Sequence, residues 1–177
     1  MTTLLGICGA LRAGSTNRKL MHVAARAFAP DDFITADLRL PLYDGDLEDG
    51  DGIPQTVQTL ADQIAAADAV IVASPEYNKS ISGVLKNALD WVSRTKGGPW
   101  ADKPVAIMSA NAGRSGGERG QYALRLALTP FRPLLLSGPE VLVGNSGMAF
   151  DDDGNLIDDR YIKAVAAQVD ALKRLMP

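Results

Sequence analysis

The sequence predicts a doubly wound α/β fold, a five-stranded parallel sheet with helices on both faces. Three observations carry that prediction. Short, near-continuous apolar runs stand at residues 4–8, 69–73 and 105–108, as strands covered on both faces require. Each run ends in small or polar residues. Segments of helical periodicity follow, giving the order βαβαβαβαβα, the pattern of a parallel sheet with crossover helices.

Each element can be justified in turn. The first strand is the run at 4–8, and the first helix begins at Ser15 to Asn17 and buries Met21, Ala24 and Phe28. A weaker second strand lies at 33–36. The acidic stretch 44–51 is the most loop-like segment and reads as solvated. Val57, Leu60, Ala61 and Ile64 repeat at helical spacing after Pro54, a favourable early helix position. After the third strand, Ile81, Val84, Leu85, Ala88, Leu89 and Val92 mark one face of a helix. The fourth strand leads into a helix over 117–128, stopped by Pro130. A fifth strand falls at 133–136, with Leu142 and Val143 extending that region. Ile162, Val165, Val169, Leu172 and Met176 define a last amphipathic helix.

Composition narrows the function classes. With 177 residues and 46% hydrophobic content, the chain reads as a single domain over 1–177 with a real core. Cys8 is the only cysteine, which excludes an intrachain disulfide and points to a reducing, cytoplasmic setting. A net charge of −3 argues against a nucleic-acid partner. No apolar run reaches the roughly 18 residues of a membrane span, and the first residues do not read as a signal peptide. The single histidine, His22, excludes any mechanism needing two and reads as a partly exposed helix residue.

In a doubly wound fold, ligands bind at the carboxyl ends of the strands. Attention therefore falls on the loops 9–17, 74–80 and 109–119. The first, Gly9-Ala-Leu-Arg-Ala-Gly-Ser-Thr-Asn17, enters a helix whose N–H groups and dipole favour an anion. One reading is a capped helix start, with Ser15 or Asn17 as the cap. A second is a P-loop, but Ser15 stands where that motif needs lysine. The glycine spacing also fails the dinucleotide fingerprint. A third is a monophosphate pocket of Arg12, Ser15 and Asn17, which in this fold points to FMN.

The second loop, Ser74-Pro-Glu-Tyr-Asn-Lys-Ser80, can lay its backbone along a flat ring. Here a resemblance enters. Pro75-Glu-Tyr-Asn78, continuing through Ser82-Gly-Val-Leu-Lys-Asn-Ala-Leu-Asp-Trp91, resembles the NADPH-dependent FMN reductase family, which includes bacterial chromate and quinone reductases. The family's first loop, Gly-Ser-Leu-Arg-x-x-Ser-x-Asn, is similar to the segment from Gly9 to Asn17, with Ala10 replacing its serine. The resemblance implies a flavodoxin-like fold with strand order 2-1-3-4-5. It implies that Arg12, Ser15 and Asn17 hold the FMN phosphate, and that Pro75, Glu76, Tyr77 and Asn78 line the isoalloxazine. From the third loop it brings Ser109, Asn111 and Gly113 to the pyrimidine end. Arg119 and Tyr122 become subunit-interface residues of a homodimer or homotetramer.

Two other motifs compete. Gly113-x-Ser115-x-Gly117 matches a nucleophile elbow, but no histidine follows Ser115 to complete a triad. The acidic stretch from Asp44 fails the calcium-loop pattern, having Asp49 and Gln55 where glycine and glutamate belong. The expected activity is thus a ping-pong transfer of reducing equivalents from NAD(P)H through FMN to small acceptors, above all quinones, with no catalytic side chain and no metal. Ferric chelates, chromate and azo compounds are further candidate acceptors. The competing class is a flavodoxin-type electron carrier. The mild charge and Arg12 in the phosphate loop argue against it, since such carriers are strongly acidic and have loops rich in serine and threonine.

Overall fold

The computed structural model describes residues 1–176. Its strands are β1 (Thr3–Cys8), β2 (Asp32–Thr35), β3 (Ala69–Ala73), β4 (Pro104–Ala110), β5 (Leu134–Leu135) and β6 (Val141–Val143). Its helices are α1 (Thr16–Phe28), α2 (Gly45–Asp51), α3 (Gln55–Ala66), α4 (Gly83–Val92), α5 (Glu118–Leu128) and α6 (Asp159–Leu175). All pairings are parallel, and the order β2-β1-β3-β4-β5 is the expected one.

The two-residue period of a strand explains why the apolar runs are continuous. In β1, Leu4 and Cys8 join one core while Leu5 and Ile7 join the other. Ala69, Ile71 and Ala73 of β3 face the first core, Val70 and Val72 the second. Helices α1 and α6 cover the first face through Leu20, Met21, Phe28, Val165 and Leu172. Helices α3, α4 and α5 cover the other through Leu60, Ile64, Leu85, Leu89 and Leu124. Gly6 lies where β1 passes under α1, and an added Cβ there would meet Met21 Sδ at 2.7 Å and Phe33 Cζ at 2.8 Å.

Three expectations are corrected. The fifth strand is two segments, β5 and β6, which pair with opposite ends of β4. Pro139 lies between them and has no N–H to donate to a ladder. Gln168 of α6 bridges the break, its Nε2 donating to Ile107 O at 3.0 Å and Pro139 O at 2.8 Å. The stretch 44–51 is not a loop but largely helix α2. Asp44 caps it by accepting the Asp46 N–H at 2.9 Å, and Asp46 and Glu48 sit in the first turn, where negative charge is favoured. Arg94 holds α2 in place through Glu48, at 2.9 and 3.0 Å, and its guanidinium draws that carboxyl below the ordinary range. Ile162, expected on the buried face of the last helix, is exposed instead. The face that packs on the core instead carries Tyr161, Ala164, Val165, Val169 and Leu172.

Candidate cofactor-binding site

Beyond the carboxyl ends of β1, β3 and β4 lies a cleft of about 330 Å³. The first loop contributes Ala10, Arg12, Ser15, Thr16 and Asn17, the second Pro75 and Tyr77, and the third Ala110, Asn111 and Ala112. Ser146 and Gly147 complete the wall from a fourth segment, the turn after β6.

At one end the cleft favours negative charge. Ser15 is the N-cap of α1, its Oγ accepting the Arg18 N–H at 3.3 Å. Thr16 and Asn17 open the helix, where first-turn N–H groups have no intrahelical partner. No acidic residue stands in that turn, and no carboxylate lines the cleft. Arg12 is exposed, its guanidinium folded over its own loop to donate to Gly14 O at 3.1 Å. The capped helix start expected of this loop is present, with Ser15 as the cap. Asn17 is different. Its Nδ2 donates to Ala110 O at 2.8 Å and its Oδ1 accepts the Ala110 N–H at 2.9 Å. The amide thus ties α1 to β4, and both of its ends are engaged inside the protein.

The second loop is a tight hairpin. Tyr77 and Ser80 exchange N–H to carbonyl bonds at 3.0 and 3.1 Å. Asn78 and Lys79 occupy the central positions with φ of 51° and 66°, the conformation for which asparagine is suited. Asn78 is exposed at the turn and does not line the cleft, whereas Pro75 and Tyr77 do. Glu76 is also directed elsewhere. Its N–H donates to Asn111 Oδ1 at 3.1 Å, and its Oε2 accepts the Gly120 N–H of α5 at 3.0 Å. It joins the second loop to the third and to the start of α5.

In the third loop only Asn111, of the three expected residues, reaches the cleft. Ser109 is buried, donating to Gly116 O at 2.6 Å and accepting from Gln121 Nε2 at 2.9 Å. The Gly113 carbonyl accepts N–H groups of Gly116 and Asn145 at 3.2 and 3.3 Å. Both shape the loop from behind. Of the two glycines of the elbow-like motif, Gly117 has a packing reason, with φ of 95° and an added Cβ 2.9 Å from Ser109 Oγ, whereas a Cβ at Gly113 meets nothing within 4 Å. Gly116 has φ of 64°, and a Cβ there would lie 2.5 Å from the Leu142 carbonyl carbon. Ser115 is exposed, while His22 packs edge-on against Phe33 with ring centroids 5.6 Å apart.

Six of the ten expected residues thus line the cleft: Arg12, Ser15, Asn17, Pro75, Tyr77 and Asn111. Glu76, Asn78, Ser109 and Gly113 lie behind or beside it. Thr16, a further side-chain donor of the first loop, lines the cleft with those six. Ser146 and Gly147 carry no motif. Only the general rule that the loops after parallel strands converge could have drawn attention to them.

The sequence model of the NADPH-dependent FMN reductases matches residues 2–147. The chain belongs to that family. It is 42% identical over 172 residues to an NAD(P)H-dependent FMN reductase of Pseudomonas aeruginosa, covering 96% of this chain and 92% of that one. It is 37% identical over 170 residues to a quinone reductase of Escherichia coli, covering 93% and 90%. The fold matches the flavoenzyme NAD(P)H:(acceptor) oxidoreductase FerB of Paracoccus denitrificans at a TM-score of 0.88 and 32% identity, covering 99% and 97%. As an FMN reductase family member, the protein is an oxidoreductase that works with FMN and a nicotinamide nucleotide. The cleft fits that cofactor: a cation and a helix start at one end suit a phosphate, and Pro75 and Tyr77 offer a flat surface for a ring. No helix among the described residues is long and apolar enough to cross a membrane.

Proposed function

We propose that this FMN reductase family member is an NAD(P)H:quinone oxidoreductase. Ferric chelates, chromate and azo compounds are further acceptors on this reading. The single observation that carries it is the convergence of the loops on one cleft that is anion-favouring at one end and flat at the other. The redox chemistry is supplied by bound FMN, between the nicotinamide donor and the oxidised acceptor. The chain's part is to hold and orient. Arg12 and the N–H groups of Thr16 and Asn17 take the phosphate, with Ser15 fixing the helix start beneath it. Pro75 and Tyr77 present backbone and the Tyr77 ring to the isoalloxazine. The Asn111 side-chain amide and the Gly113 segment face its pyrimidine end, and Ser109 keeps that segment in shape. Glu76 acts as a positioning residue through Gly120 and Asn111.

The half-exposed Tyr77, at 52%, leaves one side of the cleft open for donor and acceptor to use in turn. The whole chain, 1–177, works as one domain. Exposed Leu42, Tyr122 and Leu126 support a homodimer or homotetramer, with Arg119 and Tyr122 at a contact. The buried free thiol of Cys8 supports a cytoplasmic location.

Steady-state kinetics of the purified, FMN-loaded protein with NADH, NADPH and a panel of quinones tests this reading. Parallel double-reciprocal lines and acceptor-dependent oxidation of the nicotinamide are expected. Failure to bind FMN would overturn it. Binding of FMN without oxidation of either nicotinamide would identify an electron carrier instead.

A further inference from the structure

We infer that Ser146 donates a hydrogen bond to the phosphate of bound FMN, from a segment outside the two recognised loops. The inference rests on the reading of the cleft as an FMN site. Ser146 is only 6% exposed, yet it lines the cleft beside the start of α1. Thr16 Oγ1 donates to Ser146 Oγ at 3.3 Å. Two hydroxyls joined by one hydrogen bond retain one further O–H proton between them. Among the described residues no protein acceptor takes that proton, and both side chains border the cleft.

The segment is held in place before any ligand arrives. Asn145 sits in the left-handed region at φ 48°. Its N–H donates to Gly113 O at 3.3 Å, and the Ser146 N–H donates to Asn111 O at 3.0 Å. One residue earlier, the Gly144 N–H donates to the Tyr161 hydroxyl of α6 at 3.1 Å. Ser146 is thus braced from the third loop and from α6, as a binding residue must be to act without reordering.

The chemistry of the site selects the ligand atom. Arg12 and the first turn of α1 make this end favourable to an anion, and no carboxylate lines the cleft to compete. A phosphoryl oxygen accepts several donors at once, and O–H bonds to an ionised oxygen are short and strong. The Ala10 side chain in the first loop carries no donor. Ser146 adds a hydroxyl donor beside Arg12 and the first turn of α1.

Flavin titrations of the protein after flavin removal, followed by fluorescence quenching, test the assignment. FMN is compared with riboflavin, which has the same ring and ribityl chain but no phosphate. Ser146→Ala is expected to weaken FMN about tenfold or more, the loss of a hydrogen bond to a charged group, and to leave riboflavin unchanged. Wild-type FMN affinity in Ser146→Ala, with Arg12→Ala weakened, would overturn the role of Ser146 alone. Wild-type FMN affinity in both variants would overturn the phosphate-site reading itself. Equal weakening of FMN and riboflavin in Ser146→Ala also overturns the assignment, because the phosphate is then not the partner. Should that variant fold poorly, Ser146→Cys keeps the volume, replaces the hydroxyl with a weak donor, and is read by the same outcomes.

Discussion

The side-chain amide of Asn17 bonds both the N–H and the carbonyl of Ala110, 93 residues away in sequence. The bonded groups are buried, so truncation leaves them without partners. Asn17→Ala is expected to lose about 1–3 kcal/mol of stability, the usual cost of stranding buried polar groups, with the flavin-free protein already affected. Arg12→Ala, exposed and bonded only to its own loop, is expected to melt like the wild type and lose FMN affinity alone. Thermal unfolding of both flavin-free variants checks the contrast, and an unshifted Asn17→Ala curve would refute the clamp. Residue types at this site were readable from sequence, but their directions were not. An asparagine at a helix start can face a ligand or reach across to another strand. Which it does depends on the placement of Ala110, which no local pattern encodes. The side chains of Glu76 and Ser109 are directed in the same way, since their partners Gly120 and Gly116 are brought to them by the fold.

Among the elements, β6 and the third loop meet at Gly116. Its φ of 64° and the 2.5 Å approach to the Leu142 carbonyl carbon leave no room for a side chain. Gly116→Ala is expected to cost about 1–3 kcal/mol through backbone strain and displacement of β6. The same change at Gly113, where nothing lies within 4 Å of an added Cβ, is expected to stay within about 0.5 kcal/mol. Chemical denaturation of the two variants measures the difference, and equal midpoints would show that the contact is not tight. Long periodic elements were readable because their apolar faces are continuous, as in α4 and β3. The short ones were not. Helix α2 has no buried residue, so it lacks any apolar stripe, and only the Asp44 cap announces it. Strands of two and three residues such as β5 and β6 are too brief for periodicity, and tertiary pairing with β4 defines them.

For the molecule as a whole, the cleft draws on loops after β1, β3, β4 and β6, so it exists only in the folded state. FMN that binds the folded chain alone must stabilise all of it. At a free concentration of 100 times Kd the gain is about 2.7 kcal/mol. For a chain of this size that raises Tm by roughly 5–10 °C. Thermal scans with and without FMN check this, and an unmoved transition would mean that the folded protein does not bind it. The alternation of strands and helices fixed the architecture at this scale from periodicity. The order of the strands came from resemblance instead, because apolar runs do not state which neighbour they pair with.

The interruption of the fifth strand has a consequence beyond the cleft. A sheet margin offers unpaired N–H and carbonyl groups to any passing chain. Here one margin is β2, only four residues long, and the other is divided between β5 and β6 with Pro139 between them and Gln168 filling the break. Neither side presents a ladder long enough to template another strand. The backbone of the sheet is therefore closed to strand-by-strand growth into aggregates.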